Sequence, residues 1–295
     1  MITKSAMITI VGRPNVGKST LTNALVGEKV AIVTSKPQTT RNRIFAVVNV
    51  EDTQIVLVDT PGFHKARTRL GDYMVKVVRE SVADVDAVML MVPPVEEIGT
   101  QERQLLERLK EAKVPVILVI NKIDTVKNEE LLAVILNYSN EHNFDAIVPI
   151  SAKTGEGVPE LLAEMRKYAL KGPQLFPDDM VTDQPEKQII SEIIREKLLM
   201  CLDKEIPHGT AVEITKFSER ENEIIDVEAT IYCEKSSHKG MIIGKNGAML
   251  KKIGALARED IERFMGTKVY LETWVKVKEN WRDSQNLIRN FGYSE

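Results

Sequence analysis

The stretch Gly12–Ser19 reads GRPNVGKS, and its reading decides the class of the first half of the chain. It fits the pattern G-x-x-x-x-G-K-[ST], with the β-rich run Ile8–Val11 before it and the apolar helical run Thr20–Val26 after it. A phosphate-cradling loop requires that strand–loop–helix setting. Gly12 and Gly17 let the backbone curl so that successive N–H groups can face phosphate oxygens, and the start of the helix adds a favourable dipole. Lys18 brings a point charge to the β- and γ-phosphates, and Ser19 brings a hydroxyl to Mg²⁺. The candidate cradle is Gly12, Arg13, Pro14, Asn15, Val16, Gly17, Lys18, Ser19 and Thr20.

Outward from this loop, β-rich runs alternate with amphipathic ones from Met7 to about Ala169. The predicted strands are Ile8–Val11, Ile44–Val50, Gln54–Val58, Ala87–Val92, Val116–Ile120 and Ile147–Ile150. Helices are predicted at Glu102–Ala112, striped by Leu105, Leu106 and Leu109, and at Glu129–Tyr138. Such alternation predicts an α/β domain built on a mostly parallel wound sheet. Two motifs close predicted strands. DTPG, at Asp59, Thr60, Pro61 and Gly62, follows IVLV. There the carboxylate would meet Mg²⁺ and the Gly62 N–H would face the γ-phosphate. NKID, at Asn121, Lys122, Ile123 and Asp124, follows VPVILVI. Asp124 can accept from both N1–H and N2–H₂ of guanine, a pair that adenine lacks, so an ATP-dependent enzyme is disfavoured. Lys122 can lay its stem over the base, and Asn121 can tie the loops together.

GRPNVGKS, QTTR at Gln38–Arg41, DTPG, NKID and ISAKTG at Ile150–Gly155 stand in an order that resembles the translation-factor-like GTPases. That resemblance implies that Ser151, Ala152 and Lys153 contact the guanine edge, with the Ala152 N–H on O6. It implies a first switch over Thr34–Arg43, in which Thr39 or Thr40 closes on Mg²⁺ and the γ-phosphate. Where many small GTPases carry a water-orienting glutamine after the switch-two glycine, this chain has Phe63, followed by His64. A slow intrinsic rate is expected, with Thr39, Thr40, Gly62 and Asn15 as the residues nearest the chemistry. In related GTPases an asparagine at the Asn15 position helps hold K⁺, so K⁺-stimulated hydrolysis of GTP to GDP is a further expectation; the plain alternative is that Asn15 only shapes the loop.

The chain has 295 residues, enough for two domains with cores of their own. Apolar residues make up 43% and charged residues 28%, which excludes extensive disorder. Two cysteines, Cys201 and Cys233, exclude a disulfide framework, and four scattered histidines show no metal-ligand spacing. No apolar run approaches the roughly 18 residues of a membrane span, and a soluble, cytoplasmic protein is expected. The net charge of −3 argues against indiscriminate nucleic-acid binding.

The proline-bearing stretch KGPQLFPDDMVTDQP, residues 171–185, reads as a connection between a domain over 1–170 and another over 186–295. Asp183 and Glu186 are spaced as a capping box for the helix that follows, along which Ile190, Ile194, Leu198 and Leu202 repeat every four residues. Strands Val212–Phe217 and Ile225–Cys233, a helix near Ala248–Met265 and a strand Val269–Val277 complete an α-β-β-α-α-β order. GKNG, at Gly244, Lys245, Asn246 and Gly247, falls between the two inner helices. Residues 235–252 hold five lysines and no acid, although residues 176–295 hold 18 basic and 22 acidic side chains. This order with its GXXG turn resembles a KH domain, which implies that the glycines let an RNA backbone approach, that Lys239, Lys245, Lys251 and Lys252 neutralise phosphates, and that Ile242, Ile243 and Ile253 line a groove for about four bases.

This half resembles a type II KH domain, so the whole is read as an α/β P-loop GTPase domain followed by an α+β KH domain. SEIIREKLL at 191–199, MIIGKNGAMLKKIG at 241–254 and LETWVKVKENW at 271–281 extend the likeness to the bacterial Era family. The resemblance implies a GTP-hydrolysing switch that uses Mg²⁺ and GTP/GDP. It implies binding to the single-stranded 3′ end of 16S rRNA and a role in maturation of the 30S ribosomal subunit. It further implies a monomer in the cytoplasm, with peripheral association at the inner membrane. The competing reading is a signalling GTPase whose second domain recruits proteins.

Overall fold

A computed structural model describes residues 2–63, 68–220 and 223–293. They form two compact units: one holds residues 2–31, 40–63 and 74–183, the other 32–39, 68–73, 184–220 and 223–293.

The first unit is built on β1 (Lys4–Val11), β2 (Ile44–Val50), β3 (Thr53–Asp59), β4 (Ala87–Val92), β5 (Val116–Asn121), β6 (Ala146–Ile150) and β7 (Leu170–Lys171). Their order is β2-β3-β1-β4-β5-β6, with β7 antiparallel on the start of β1. Strands β3, β1, β4, β5 and β6 run parallel, and β2 returns antiparallel along β3. Helices α1 (Lys18–Val26), α2 (Arg69–Glu80), α3 (Thr100–Ala112), α4 (Asn128–Glu141) and α5 (Val158–Met165) follow the strands, except that α2 begins within the residues grouped with the second unit. Two apolar clusters fill the layers, one around Ile8, Leu57 and Met89 and one around Leu90, Leu106 and Leu118. Strands buried on both faces are why the runs IVLV and VILVI are unbroken by polar residues. The expected wound sheet is present, with β1 and β3 longer than the sequence pattern indicates.

The stretch 171–183 is fastened to the first unit. The buried Gln54 accepts from the N–H groups of Leu175 and Phe176 at 2.8 Å and donates to the Phe176 carbonyl at 2.9 Å. Val47 donates to the Val181 carbonyl and Thr182 to the Phe45 carbonyl, so the chain covers the edge that β2 would otherwise expose.

The second unit comprises α6 (Glu186–Cys201), β8 (Ala211–Glu219), β9 (Ile225–Cys233), α7 (Ser236–Ile243), α8 (Ala248–Met265), β10 (Val269–Val277) and α9 (Gln285–Asn290). Strand β9 lies between β10, parallel to it, and β8, antiparallel. One sheet face carries Val227, Ala229, Ile231 and Cys233 into a core shared with Ile190, Ile194 and Leu198 of α6 and Ile253, Ala257 and Ile261 of α8. The other face is covered at one end: Tyr232 meets Phe291, which packs on the buried Trp281. The capping box is not formed. Pro185 stands at the N-cap of α6 without a side-chain cap, and the Asp183 carboxylate accepts from the Phe45 N–H at 3.1 Å. Among the described residues no helix is long and apolar enough to cross a membrane.

Candidate functional site

The loop Gly12–Gly17 leaves the carboxyl end of β1 and enters α1, where sheet topology places a ligand crevice. Its shape needs glycine at two points. Gly12 has φ +158, and a Cβ there would stand 2.4 Å from the Met91 carbonyl oxygen. Gly17 has φ +105, and its Cβ would stand 2.2 Å from Asn121 Nδ2. Asn15 also holds a left-handed backbone, φ 64, inside the loop. Lys18 is buried, and its ammonium donates to the carbonyls of Gly12 and Arg13 at 3.1 and 3.2 Å. Burial lowers its pKa to about 8 against the opposing pull of Asp59.

Beside it stand three oxygen donors. Ser19 Oγ donates to Asp59 Oδ2 at 2.8 Å and lies 2.9 Å from Thr40 Oγ1. Asp59 is buried at the end of β3, and its second oxygen, Oδ1, has no hydrogen-bond partner. Burial pushes its carboxyl up to about 6, while Lys18 and the Ser19 hydroxyl pull it down. Two hydroxyls and a carboxylate with an unanswered oxygen form the hard-oxygen set that suits Mg²⁺. Of the two threonines offered for this role, the geometry brings in Thr40. Thr39 Oγ1 donates to the Lys36 carbonyl and lies 2.8 Å from Thr34 Oγ1. Thr60 turns inward, donating to the Ile10 carbonyl at 2.7 Å. Gly62 lies so close to the loop that a Cβ would meet the Pro14 Cα at 2.8 Å. Phe63 is buried and carries the Arg108 guanidinium over its ring at 4.7 Å, so it has no polar atom to offer water. His64 lies outside the described residues.

NKID joins the cradle to the base-binding end. Asn121 Nδ2 donates to the Val16 carbonyl at 2.7 Å, and its Oδ1 accepts from the Ala152 N–H at 2.9 Å. The amide expected to face guanine O6 is therefore engaged within the protein. Lys122, with φ 70, donates through Nζ to the Asn15 carbonyl at 2.7 Å. Asp124 Oδ1 accepts from Ser151 Oγ at 2.7 Å, which fixes the carboxylate that would read the base. Lys153 is exposed. One member was missed in the sequence: Glu102 of α3, buried, pairs with Arg13 Nε at 3.0 Å and steadies the loop. No local pattern marks a partner so far along the chain.

In the second unit, Gly244 ends α7 with φ 74 and ψ 176, a conformation nearly restricted to glycine, and its Cβ would meet the Met249 Cβ at 2.7 Å. Asn246 and Gly247 are left-handed, and a Cβ on Gly247 would meet open space. Lys245, Lys251 and Lys252 are exposed and Lys239 half-buried, so the basic patch is at the surface. Ile243 is half-buried, whereas Ile242 and Ile253 are fully buried in the core and give no wall to a groove. Among the described residues no cluster of histidine, cysteine or carboxylate side chains could hold a metal.

A guanine-type phosphate loop on a wound sheet, followed by an α-β-β-α-α-β unit with a GXXG turn, defines a P-loop GTPase joined to a KH domain. Residues 7–122 match the family model described as 50S ribosome-binding GTPase, and residues 205–282 match that of the KH domain. The chain is 51% identical over 290 residues to GTPase Era of Ruminiclostridium cellulolyticum, covering 98% of this chain and 97% of that one. It is 53% identical to GTPase Era of Clostridioides difficile over 294 residues, 99% of each. A crystal structure of Era in complex with MgGDPNP and nucleotides 1506–1542 of 16S ribosomal RNA superimposes with a TM-score of 0.96 at 37% identity, covering 99% of this chain and 100% of that one. The chain belongs to the GTPase Era family, and it is a GTP-binding GTPase with an RNA-binding KH domain.

Asn121 is where these loops meet, so Asn121→Ala should strand both the Val16 carbonyl and the Ala152 N–H. Two lost buried hydrogen bonds predict a loss of about 2–4 kcal/mol in chemical denaturation, with weaker GDP binding in a fluorescent-nucleotide titration. Unchanged stability would show that the two loops are held by other means.

Proposed function

We propose that the chain is a nucleotide-gated RNA clamp that binds the single-stranded 3′ end of 16S rRNA during maturation of the 30S subunit. In this reading Ser19, Thr40 and Asp59 hold Mg²⁺, which supplies charge neutralisation at the transferring phosphate. Lys18 and the N–H groups of the Gly12–Gly17 loop hold the phosphates, and Asp124 selects guanine. The Gly62 N–H meets the γ-phosphate, and Asn15 helps hold K⁺. The observation that carries the proposal is the exposed lysine patch around Gly244–Gly247, in a domain that is otherwise acidic, within the same chain as the phosphate site. The neighbour whose structure contains MgGDPNP and a 16S rRNA fragment supports the choice of RNA over a protein partner. In this reading the protein works in the cytoplasm as a monomer, with peripheral contact at the inner membrane.

Switch segments order around γ-phosphate and Mg²⁺ and relax after hydrolysis, so the two nucleotide states differ at Thr40. RNA affinity should then be about tenfold higher with a non-hydrolysable GTP analogue than with GDP, within the usual range of coupling between sites. Titration of a short RNA of the 3′-end sequence, with a scrambled control, measures this. Equal affinity in both states would remove the gating, and equal affinity for the scrambled RNA would favour the protein-recruiting alternative. Gly247→Asp is the cleaner probe of the RNA site than Gly244→Asp, because its side chain meets open space and aspartate tolerates a left-handed φ. It should weaken RNA binding and flatten its salt dependence while GTP binding is retained. Turnover compared in K⁺ and Na⁺, for the natural chain and Asn15→Ala, tests the cation: faster turnover in K⁺, lost in the variant, is expected. Equal rates of the natural chain in both salts would remove the role.

A further inference from the structure

Segment 32–39, which leads into the magnesium-side threonine, is grouped with the second unit. It is held there by α6, a helix that lies outside both matched family spans. The Val33 N–H donates to Glu196 Oε1 at 2.9 Å. Lys36 donates to the Leu202 carbonyl and pairs with Asp203 at 3.2 Å. Gln38 sits at φ 59, a strained conformation for a residue with a side chain. Its carbonyl accepts from Arg195 Nη1 at 3.4 Å, and the Thr39 carbonyl accepts from Arg195 Nη2.

Arg195 is completely buried. Its Nε donates to Glu192 Oε1 at 2.8 Å, and Nη2 donates to Glu192 Oε2. Burial disfavours the charge, but the adjacent Glu192 carboxylate outweighs it and the guanidinium is held above its ordinary pKa. A charge this deep must be fully answered, and the planar fork allows it to be answered in one geometry only. Two of its targets are backbone carbonyls, one belonging to the Thr39–Thr40 peptide. That peptide is planar and rigid, so fixing its oxygen fixes the direction in which Thr40 Cα leaves. Within the first unit, Thr40 Oγ1 then stands 2.9 Å from Ser19 Oγ.

We propose that Arg195 is a positioning residue for GTP hydrolysis: it clamps the Gln38 and Thr39 carbonyls and so presents the Thr40 hydroxyl to the Mg²⁺ of the GTP-bound site. The proposal rests on the reading of Thr40 as a magnesium ligand. It predicts discrimination between nucleotides, because a threonine recruited by Mg²⁺ and γ-phosphate contributes to GTP binding and not to GDP binding.

The test is fluorescent-nucleotide binding by the full chain, with GDP and with a non-hydrolysable GTP analogue. Arg195→Gln should leave GDP affinity within about twofold and lower analogue affinity about tenfold, a typical coupling between linked sites. It should also raise the Mg²⁺ concentration needed for half-maximal turnover. A merely structural arginine would move both nucleotides together, or neither, and either result overturns the proposal. If Arg195→Gln does not fold, Glu192→Leu combined with Arg195→Met removes both charges and leaves no buried ion unpaired. The same GTP-selective loss is then expected, and an unchanged ratio of analogue to GDP affinity overturns it. Thr40→Ala separates the two layers. If it spares the GTP analogue while Arg195→Gln weakens it, the magnesium reading of Thr40 fails and the role proposed for Arg195 falls with it. If Thr40→Ala weakens the analogue and Arg195→Gln does not, the clamp fails alone.

Discussion

The Asp59 carboxylate is buried at the end of β3 with one oxygen bonded to Ser19 and the other to nothing. A buried negative charge needs a nearby cation, and burial lifts this carboxyl to about 6 even against the pull of Lys18 and Ser19. Lys18 answers part of that need, although its own burial weakens its hold on the proton. In the proposed reading the remainder falls to Mg²⁺, which the Ser19 and Thr40 hydroxyls would help to hold. The surrounding structure serves this cluster: β1 and β3 run parallel and in register from Lys4–Thr53 to Ile10–Asp59, which brings the phosphate loop and DTPG to one edge of the sheet. Gly12, Gly17 and Gly62 then permit approaches that a Cβ would forbid.

A second constraint joins the cluster to the rest of the chain. Thr39 and Thr40 are neighbours in sequence, yet their hydroxyls enter different networks, one folding the loop upon Thr34 and Lys36 and the other reaching Ser19. One peptide bond therefore separates a hydroxyl that reaches Ser19 from a carbonyl held by Arg195 of α6. The following residues of that helix continue the polar path. Glu196 pairs with Lys197 at 2.8 Å, and Lys197 pairs with Asp260 of α8 at 2.5 Å. Helix α8 begins at Ala248, directly after the Gly244–Gly247 turn.

Much of this was legible in the sequence where the signal is local. GRPNVGKS, DTPG and NKID each stand at a strand end, and the bounds of β2, β4, β9, α8 and β10 agree with hydrophobic periodicity. Helix α2 lies outside the elements expected from the sequence, although Leu70, Met74, Val77 and Val78 carry helical spacing and are buried. Strand β7 has two residues, too few for any periodic signal. What the sequence could not supply is long-range pairing. The Asp183–Glu186 spacing mimics a cap, but the Asp183 carboxylate instead accepts from the outward-facing N–H of Phe45 on β2. The three isoleucines near the GXXG turn look alike in sequence, and only packing shows that Ile242 and Ile253 are core while Ile243 reaches the surface. Gln54, Glu102 and Arg195 are polar residues whose roles depend on partners far along the chain, so no motif announces them.

In the proposed reading, α6 holds residues 33–39 through Glu196 and Arg195, and Mg²⁺ in the GTP state holds Thr40. Amide hydrogen exchange across this segment, in the Mg²⁺–GDP and Mg²⁺–GTP-analogue states, tests it most directly. The account predicts that the amides from Val33 to Thr40 exchange more slowly with the analogue in the natural chain, and that Arg195→Gln abolishes that added protection while the phosphate loop keeps its own. Equal protection in both nucleotide states of the natural chain, or added protection that survives the loss of Arg195, would contradict it.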